Sequence, residues 1–291
     1  MDKQEQEAIE FEWNNRKIIF CDVDGTLINE NYQISPIAAK ALKDLINNDR
    51  SFHFSLISGR CCAHELIFYK ELGLKPTGLL IGSNGSQIYN LSSHKMIKEW
   101  LIDEDVAQAI YNKLMELEKK CHHIQFLVNY NVPPLGYNYN IDAKFWEKYN
   151  VGNSVKLRPE FSSKNVLLYT VLNLQECLEE FTSFLSQFHL CVIPGNNLTG
   201  ISAYGVTKRN AIEYTLMAYH TQPKHVCVIG DSKNDVNMFE IPEVYSITYK
   251  DAKPYLKKIA KDVVDLPVSE FIAKGLDDFK HHLEIVDHQK N

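Results

Sequence analysis

The stretch that most constrains this chain is Ile18 to Leu27, which reads Ile-Ile-Phe-Cys-Asp-Val-Asp-Gly-Thr-Leu. Its first four residues are continuously apolar, the character of a strand covered on both faces, and this places it inside a parallel sheet. Open sheets of that kind bind ligands at the carboxyl ends of their strands. Asp22 and Asp24 alternate about Val23, so in an extended chain they share a side and can hold one cation between them. A solvated Asp-x-Asp-Gly turn is the plainer alternative. The rest of the chain decides between the two.

At 291 residues the chain is long enough for one large or two ordinary domains. A formal charge of −6 without a basic block leaves no nucleic-acid footprint. No apolar run approaches the roughly 20 residues that a membrane helix needs. The first residues also lack a signal peptide's basic and apolar regions. A soluble cytoplasmic protein with no membrane partner is expected, as a monomer or weak homo-oligomer. Seven cysteines, an odd number at irregular spacing, predict reduced thiols and no disulfide framework. Cys121-His122-His123 lacks a second Cys or His pair at zinc-site spacing and is set aside as a metal site.

Along the chain, Ser35-Pro36 opens a helix, and Phe52 to Ile57 is a second strand ending at Ser58-Gly59-Arg60. A helix then runs to Leu72 with Gly73 as its stop, and Leu79 to Ile81 is a third strand before Ser83-Asn84-Gly85. From Ser86 to Leu198 the alternation gives way to a mixture. It holds a hairpin, a long helix capped by Asp103, a strand from Ile124, a Pro-, Gly- and Tyr-rich loop at Asn131 to Asn140, and further short elements. Alternation resumes at Thr207, which can cap a helix beginning at Lys208. The apolar strand Val226 to Ile229 ends at Gly230-Asp231-Ser232-Lys233-Asn234-Asp235. The fold expected is α/β, a doubly wound parallel sheet built from residues 1–85 and 199–291, with an α+β domain inserted over 86–198. Met1 to Asn15 reads as a polar arm.

The acidic turn, Ser58-Gly59, Lys208 and Gly230 to Asp235 each sit at a strand end or helix start, so in a doubly wound sheet all four converge on one edge. Convergence gives each residue type a task. Asp22, Asp231 and Asp235 can hold an oxygen-seeking divalent cation such as Mg²⁺. Ser58 and its neighbouring amides can donate to phosphate. Lys208 can neutralise both a phosphate and an anionic nucleophile, and Asn234 can bond the phosphate or orient its neighbours. Taken singly these are a helix cap, a solvated lysine and an ordinary loop; together and in this order they are a site.

At these residues the chain resembles the haloacid-dehalogenase-like hydrolases, and within them the Cof-type phosphatases with an inserted α+β cap. Asp22-Val-Asp-Gly-Thr, Ser58-Gly59-Arg60, Ser83-Asn84-Gly85, Lys208, and Gly230-Asp231 with Asn234-Asp235 carry the resemblance in order and spacing. It implies that Asp22 is a nucleophile forming an aspartyl-phosphate and that Asp24 protonates the leaving oxygen and then activates water. It also implies Mg²⁺ held by Asp22, the Asp24 carbonyl and Asp231, with Asp235 beside them. Ser58, Gly59, Arg60, Asn84, Lys208 and Asn234 are expected around the substrate. Two segments depart from the family pattern: Tyr249-Lys250-Asp251-Ala252 replaces a Met-Gly-Asn-Ala-like loop, and Ser269 to Gly275 replaces an acidic Asp-Gly-Val segment.

The function expected is an Mg²⁺-dependent phosphatase of small phosphorylated metabolites, sugar phosphates first among them. Tyr137 and Tyr139 have the composition around them to stack on a sugar ring, and packing on the cap's own surface is the equal alternative. A phosphomutase or a dedicated disaccharide-phosphate phosphatase of the same fold is the alternative. A non-catalytic Mg²⁺- or phosphate-binding regulator is the third, and it has no use for Asp24 or for the insertion.

Overall fold

The computed structural model describes residues 16–194 and 198–288. The expected arm Met1 to Asn15 lies outside the described residues. Strands β1 (Lys17–Cys21), β2 (Phe52–Ile57) and β3 (Leu79–Gly82) are parallel neighbours joined through helices α1 (Pro36–Asn48) and α2 (Cys62–Leu72). β4 (Gln87–Asn90) and β5 (Lys95–Glu99) turn back antiparallel on β3. After α3 (Glu104–Cys121) the chain builds an antiparallel sheet from β6 (Gln125–Tyr130), β7 (Gly136–Tyr139), β8 (Val166–Leu172), β9 (Leu190–Pro194) and β10 (Leu198–Ala203), with α4 (Ala143–Tyr149) and α5 (Leu178–Leu185) between them. α6 (Lys208–Ala218) returns it to the first sheet. There β11 (Val226–Ile229), β12 (Tyr245–Tyr249) and β13 (Asp262–Val264) extend the parallel array, with α7 (Val236–Phe239), α8 (Pro254–Lys257) and α9 (Phe271–His288). The first sheet has eight strands in the order β13-β12-β11-β1-β2-β3-β4-β5, and the second runs β7-β6-β8-β10-β9.

The local causes are those the residues suggest. The Ser35 hydroxyl accepts the Ile37 and Ala38 N–H groups and starts α1, with Pro36 in its first turn. α2 stops at Gly73, whose φ of +65° is open to glycine at little cost. The Thr207 hydroxyl accepts from the Asn210 N–H and starts α6. Alternate residues of β1 enter different layers, Ile19 and Cys21 packing with α1, α2 and α9, Ile18 and Phe20 with α6 and α7. This two-sided burial is why the run reads as continuously apolar.

Several expectations are corrected. The chain changes sheets near Trp100–Leu101 and Tyr204–Val206, not at 86 and 198, because the β4–β5 hairpin bonds to β3 and β10 bonds to β8 and β9. A hairpin with a polar turn can join either sheet, and its sequence does not say which. Gly136–Tyr139 is a strand and not part of a loop: only the preceding prolines break the chain, and β6 offers an edge. β13 was too short to read. Asp103 stands at the start of α3 but its side chain makes no capping bond. Cys121 and Cys177 are brought side by side by α3 and the turn before α5, with Cα atoms 7.2 Å apart, beyond the usual span of a disulfide, and the other five cysteines are free thiols.

One buried group stands against the fold's economy. Glu65, on α2, is fully enclosed, and neither carboxylate oxygen meets hydrogen-bond geometry, although the Cys62 thiol lies close enough to favour the anion. Burial pushes its pKa well above the ordinary value. The folded state therefore holds a proton that the unfolded chain releases from about pH 4 upward, so stability is lost as pH rises through the folded value. Replacing Glu65 with Met is expected to stabilise the protein by about 1–3 kcal/mol at pH 7 and to flatten the decline of stability above pH 4. Chemical denaturation across pH checks this, and parallel profiles for parent and variant would contradict it.

Candidate active site

The register of the parallel strands assembles the site. Cys21 lies opposite Ile229 of β11 and Leu56 of β2, so Asp22, the Gly230 loop and Ser58 emerge at one edge. The Asp22 N–H donates to the Ile229 carbonyl at 2.9 Å, which continues the ladder by one residue and fixes where the carboxylate points. Lys208, first residue of α6, is 1% exposed. Its ammonium donates to Asp22 Oδ1 at 2.5 Å and to Asp235 Oδ1 at 2.7 Å.

Asp235 is used up by its neighbours. Its second oxygen accepts the N–H groups of Asp231 and Ser232 at 3.1 and 3.0 Å. Asp231 is steadied by the Thr26 hydroxyl, which donates to Oδ1 at 2.9 Å. Between them Gly25 has a φ of +82°, and a Cβ there would stand 2.8 Å from Asp231 Oδ2, so conformation and space both demand glycine. The Tyr249 hydroxyl donates to the Gly25 carbonyl at 2.9 Å and supports the turn from below. That gives a task to one residue of the departing segment Tyr249 to Ala252.

Oxygens of Asp22, Asp231 and Asp235 approach within 4.8 Å of one another. Three carboxylates facing one ammonium leave two negative charges in excess. Burial, opposed by Lys208 and reinforced by Asp235 and Asp231, pushes the Asp22 pKa well above its ordinary value. Burial and then Asp235 push Asp231 up to about 7. The Lys208 ammonium is held on against burial by the same carboxylates. A cluster so short of positive charge fits a divalent cation, and the second oxygens of Asp22 and Asp231, which make no hydrogen bond, are the atoms open to it.

Asp24 does not join this cluster. The chain turns at Val23, whose carbonyl accepts from Leu27 and Ile28, and Asp22 and Asp24 line the same cavity without meeting in one cluster. The Asp24 carboxylate instead receives Arg60 Nε and Nη2, both at 2.7 Å. The Arg60 guanidinium is enclosed, donates through Nη1 to the Tyr149 carbonyl at 2.7 Å, and lies 4.1 Å from the centre of the Tyr149 ring. Arg60, expected to bind substrate, therefore has its fork committed to Asp24 and to the end of α4. His64 Nε2 meets Asn150 Oδ1 at 3.1 Å and adds a second tie across the same joint.

The remaining expected residues line a cavity of about 280 Å³ between the two sheets, among them Ser58, Gly59, Asn84, Asp231 and Asn234. Ser58 accepts the Arg60 N–H at 3.1 Å; α2 begins only at Cys62, so Ser58 stands before the helix and not at its N-terminus. The Asn84 N–H donates to the Ser58 carbonyl at 2.8 Å, and Asn234 Oδ1 accepts from the Ser232 hydroxyl at 2.5 Å. Tyr137 and Tyr139 are not among the lining residues. They share one side of β7 and pack on Phe126, with Tyr111 and Phe161 beside Tyr137, half-buried against the core of the second sheet. A wider depression of about 700 Å³ near Cys121 to Gln125 and Asn173 to Glu176 contains none of the four loops. The residues that the sequence did not single out are Thr26, Tyr149, Asn150 and the roof of the cavity. Thr26 was legible within the acidic motif; the others act only through contacts distant in sequence.

A doubly wound sheet whose strand ends gather an acidic cluster, a buried lysine and a roofed cavity defines a hydrolase of the phosphatase type. The chain belongs to the haloacid dehalogenase-like hydrolase family, whose model matches residues 19–276. It is 26% identical over 281 residues to a Mycoplasma pneumoniae protein named as a phosphatase, spanning 89% of this chain and 94% of that one. It is 24% identical over 264 residues to the Bacillus subtilis 5-amino-6-(5-phospho-D-ribitylamino)uracil phosphatase YcsE, spanning 89% and 94%. Among solved structures, a haloacid dehalogenase-like hydrolase from Bacteroides thetaiotaomicron superposes with a TM-score of 0.75 at 20% identity, covering 90% of this chain and 99% of that one. The HAD subclass IIB sugar phosphatase BT4131 gives 0.73 at 19%, covering 91% and 99%. These two likenesses concern the fold.

The double tie of Arg60 generates a test. Arg60→Lys keeps the charge but not the planar fork, so it cannot hold both Asp24 oxygens and the Tyr149 carbonyl together. A fall in kcat of about 10–10² is expected, from misplacement of Asp24, with little change in KM. Steady-state kinetics on a phosphate monoester reads it, and parent-like kcat would leave Arg60 a purely structural residue.

Proposed function

We propose that this chain is an Mg²⁺-dependent phosphomonoesterase that hydrolyses small phosphorylated metabolites through an aspartyl-phosphate on Asp22. The observation that carries the reading is the enclosed Asp22 carboxylate, held 2.5 Å from the Lys208 ammonium and opening onto the cavity. Asp22 and Asp231 side chains would hold the cation, with the Asp24 carbonyl that the family resemblance adds. When bound, Mg²⁺ would offset the two excess negative charges and so lessen the repulsion between Asp22 and a phosphate.

The chain's own residues supply the rest. An Asp22 oxygen attacks phosphorus, the bond to the ester oxygen breaks, and that oxygen leaves with a proton from Asp24. For this Asp24 must be protonated and free at least one oxygen from Arg60. Asp24, now a carboxylate, takes a proton from water as the water attacks phosphorus; the bond to Asp22 breaks and inorganic phosphate departs. Lys208 meets the charge on Asp22 and on the phosphoryl group, and Ser58 faces its remaining oxygens. The names of the M. pneumoniae and B. subtilis relatives support phosphate esters as the substrate class. Sugar phosphates, the narrower expectation, draw support from the name of BT4131 but lose the two tyrosines offered for them.

Asp22→Asn is expected to fold, to bind phosphate and to show no turnover, because an amide cannot form the acyl phosphate. Asp24→Asn should retain binding and lose about 10²–10⁴ in rate. Chelation with EDTA should abolish activity, and Mg²⁺ should restore it. Phosphate-release assays check all three; Asp22→Asn turning over at the parent's rate would sink the proposal.

A further inference from the structure

Resting on that reading of the site, we propose that the organic part of the substrate is apolar and flat, an aromatic or heteroaromatic group with few hydroxyls, and not a free sugar. The cavity has two unlike halves. The eight-stranded sheet contributes the carboxylates, Ser58 and the asparagines, while the five-stranded sheet contributes hydrocarbon. Leu127, Thr170, Gly200 and Ile193 form one row across β6, β8, β10 and β9, and Leu172 pairs with Leu198 in the next. Of the described residues of this sheet that line the cavity, only Thr170 has a polar side chain.

The side wall is aromatic. Phe145 and Tyr149 of α4 stack with centroids 5.6 Å apart and planes at 17°. Phe145 is 37% and Leu198 is 41% exposed and both line the cavity, so each keeps apolar surface that the described chain leaves uncovered. A ring laid on these groups gains burial and stacking. A sugar would bring several hydroxyls to a five-stranded face whose described lining residues offer Thr170 alone as a polar side chain, and a buried hydroxyl without a partner opposes binding.

Asn84 is the second, independent pointer to a ligand. It lines the cavity, is 4% exposed, and its Oδ1 has no hydrogen-bond partner. A Cβ at Gly200 would stand 3.1 Å from Asn84 Nδ2, so the bare position lets the amide lie under the roof. Asn84, Thr170 and Tyr32, which also lines the cavity, match a body with a few polar groups, as a hydroxylated or nitrogen-containing ring has. The volume of about 280 Å³ suits a phosphate with about one ring, near the lower end of small-molecule pockets.

The test compares phenethyl phosphate, ethyl phosphate and a hexose phosphate esterified at its primary hydroxyl, with the parent enzyme and Mg²⁺. All three release a primary alcohol, so leaving-group chemistry is matched. Phenethyl phosphate is expected to exceed the hexose phosphate in kcat/KM by about 10²-fold, chiefly through KM. Leu172→Ala and Leu198→Ala should each lower the phenethyl-to-ethyl ratio by about threefold to tenfold. A hexose phosphate turned over as well or better, or ratios unmoved by either variant, would overturn the proposal and leave the phosphatase reading intact. Calorimetry of phenethylphosphonate against a hexose phosphonate on Asp22→Asn reads the same preference without turnover. Should ethyl phosphate also go unhydrolysed, the phosphatase reading fails, and the calorimetric preference alone still upholds or overturns the apolar specificity.

Discussion

Lys208 between Asp22 and Asp235 is the interaction on which the rest depends. An ammonium enclosed to this degree is tolerable only because two carboxylates meet it, and those carboxylates are tolerable only because the ammonium and backbone amides meet them. The three residues come from the residue after β1, the start of α6 and the turn after β11, so each ion pair also closes the edge of the sheet. Removing one partner would strand the others, at a cost of about 3–5 kcal/mol. On the proposed reading, the same arrangement keeps Asp22 dry, oriented and partly neutralised before any substrate arrives.

The second sheet depends on this edge through fewer and different contacts. Arg60 carries the joint: it forks onto Asp24 of the core and reaches the carbonyl and ring of Tyr149, and Asn129 Nδ2 adds a bond to Ser83 Oγ at 3.2 Å. The placement of Asp24 is thereby coupled to the placement of the roof. An acid that is aligned only when the roof is seated would protect the aspartyl ester from premature attack by water.

What was legible in the sequence follows from what local chemistry can encode. Asp22, Lys208, Asp231 and Asp235 were readable because each stands where an apolar run or a helix begins or ends, and parallel register then leaves one place for them to meet. Ser35, Gly73 and Thr207 were readable because capping is a local contract. Arg60 was found but its partners were not, since a guanidinium looks the same whether it waits for phosphate or forks onto a carboxylate distant in sequence. Tyr137 and Tyr139 stayed open between a ligand and the cap for a similar reason: their spacing marks one side of a strand, and nothing local says whether that side meets a ligand or Phe126. The hairpin β4–β5 and strand β10 were assigned to the wrong sheets because pairing partners are chosen by tertiary fit. Glu65 gave no signal at all, because a carboxylate in a helix reads as solvated.

The identity of the nucleophile is tested most directly by trapping it. During turnover of a phosphate monoester with Mg²⁺, acid quenching followed by borohydride reduction converts an aspartyl-phosphate to homoserine, which peptide mass mapping locates. The geometry around Lys208 predicts homoserine at position 22, present only when substrate is added. Modification at Asp24, Asp231 or a histidine, or none in an enzyme trapped during active turnover, would contradict it.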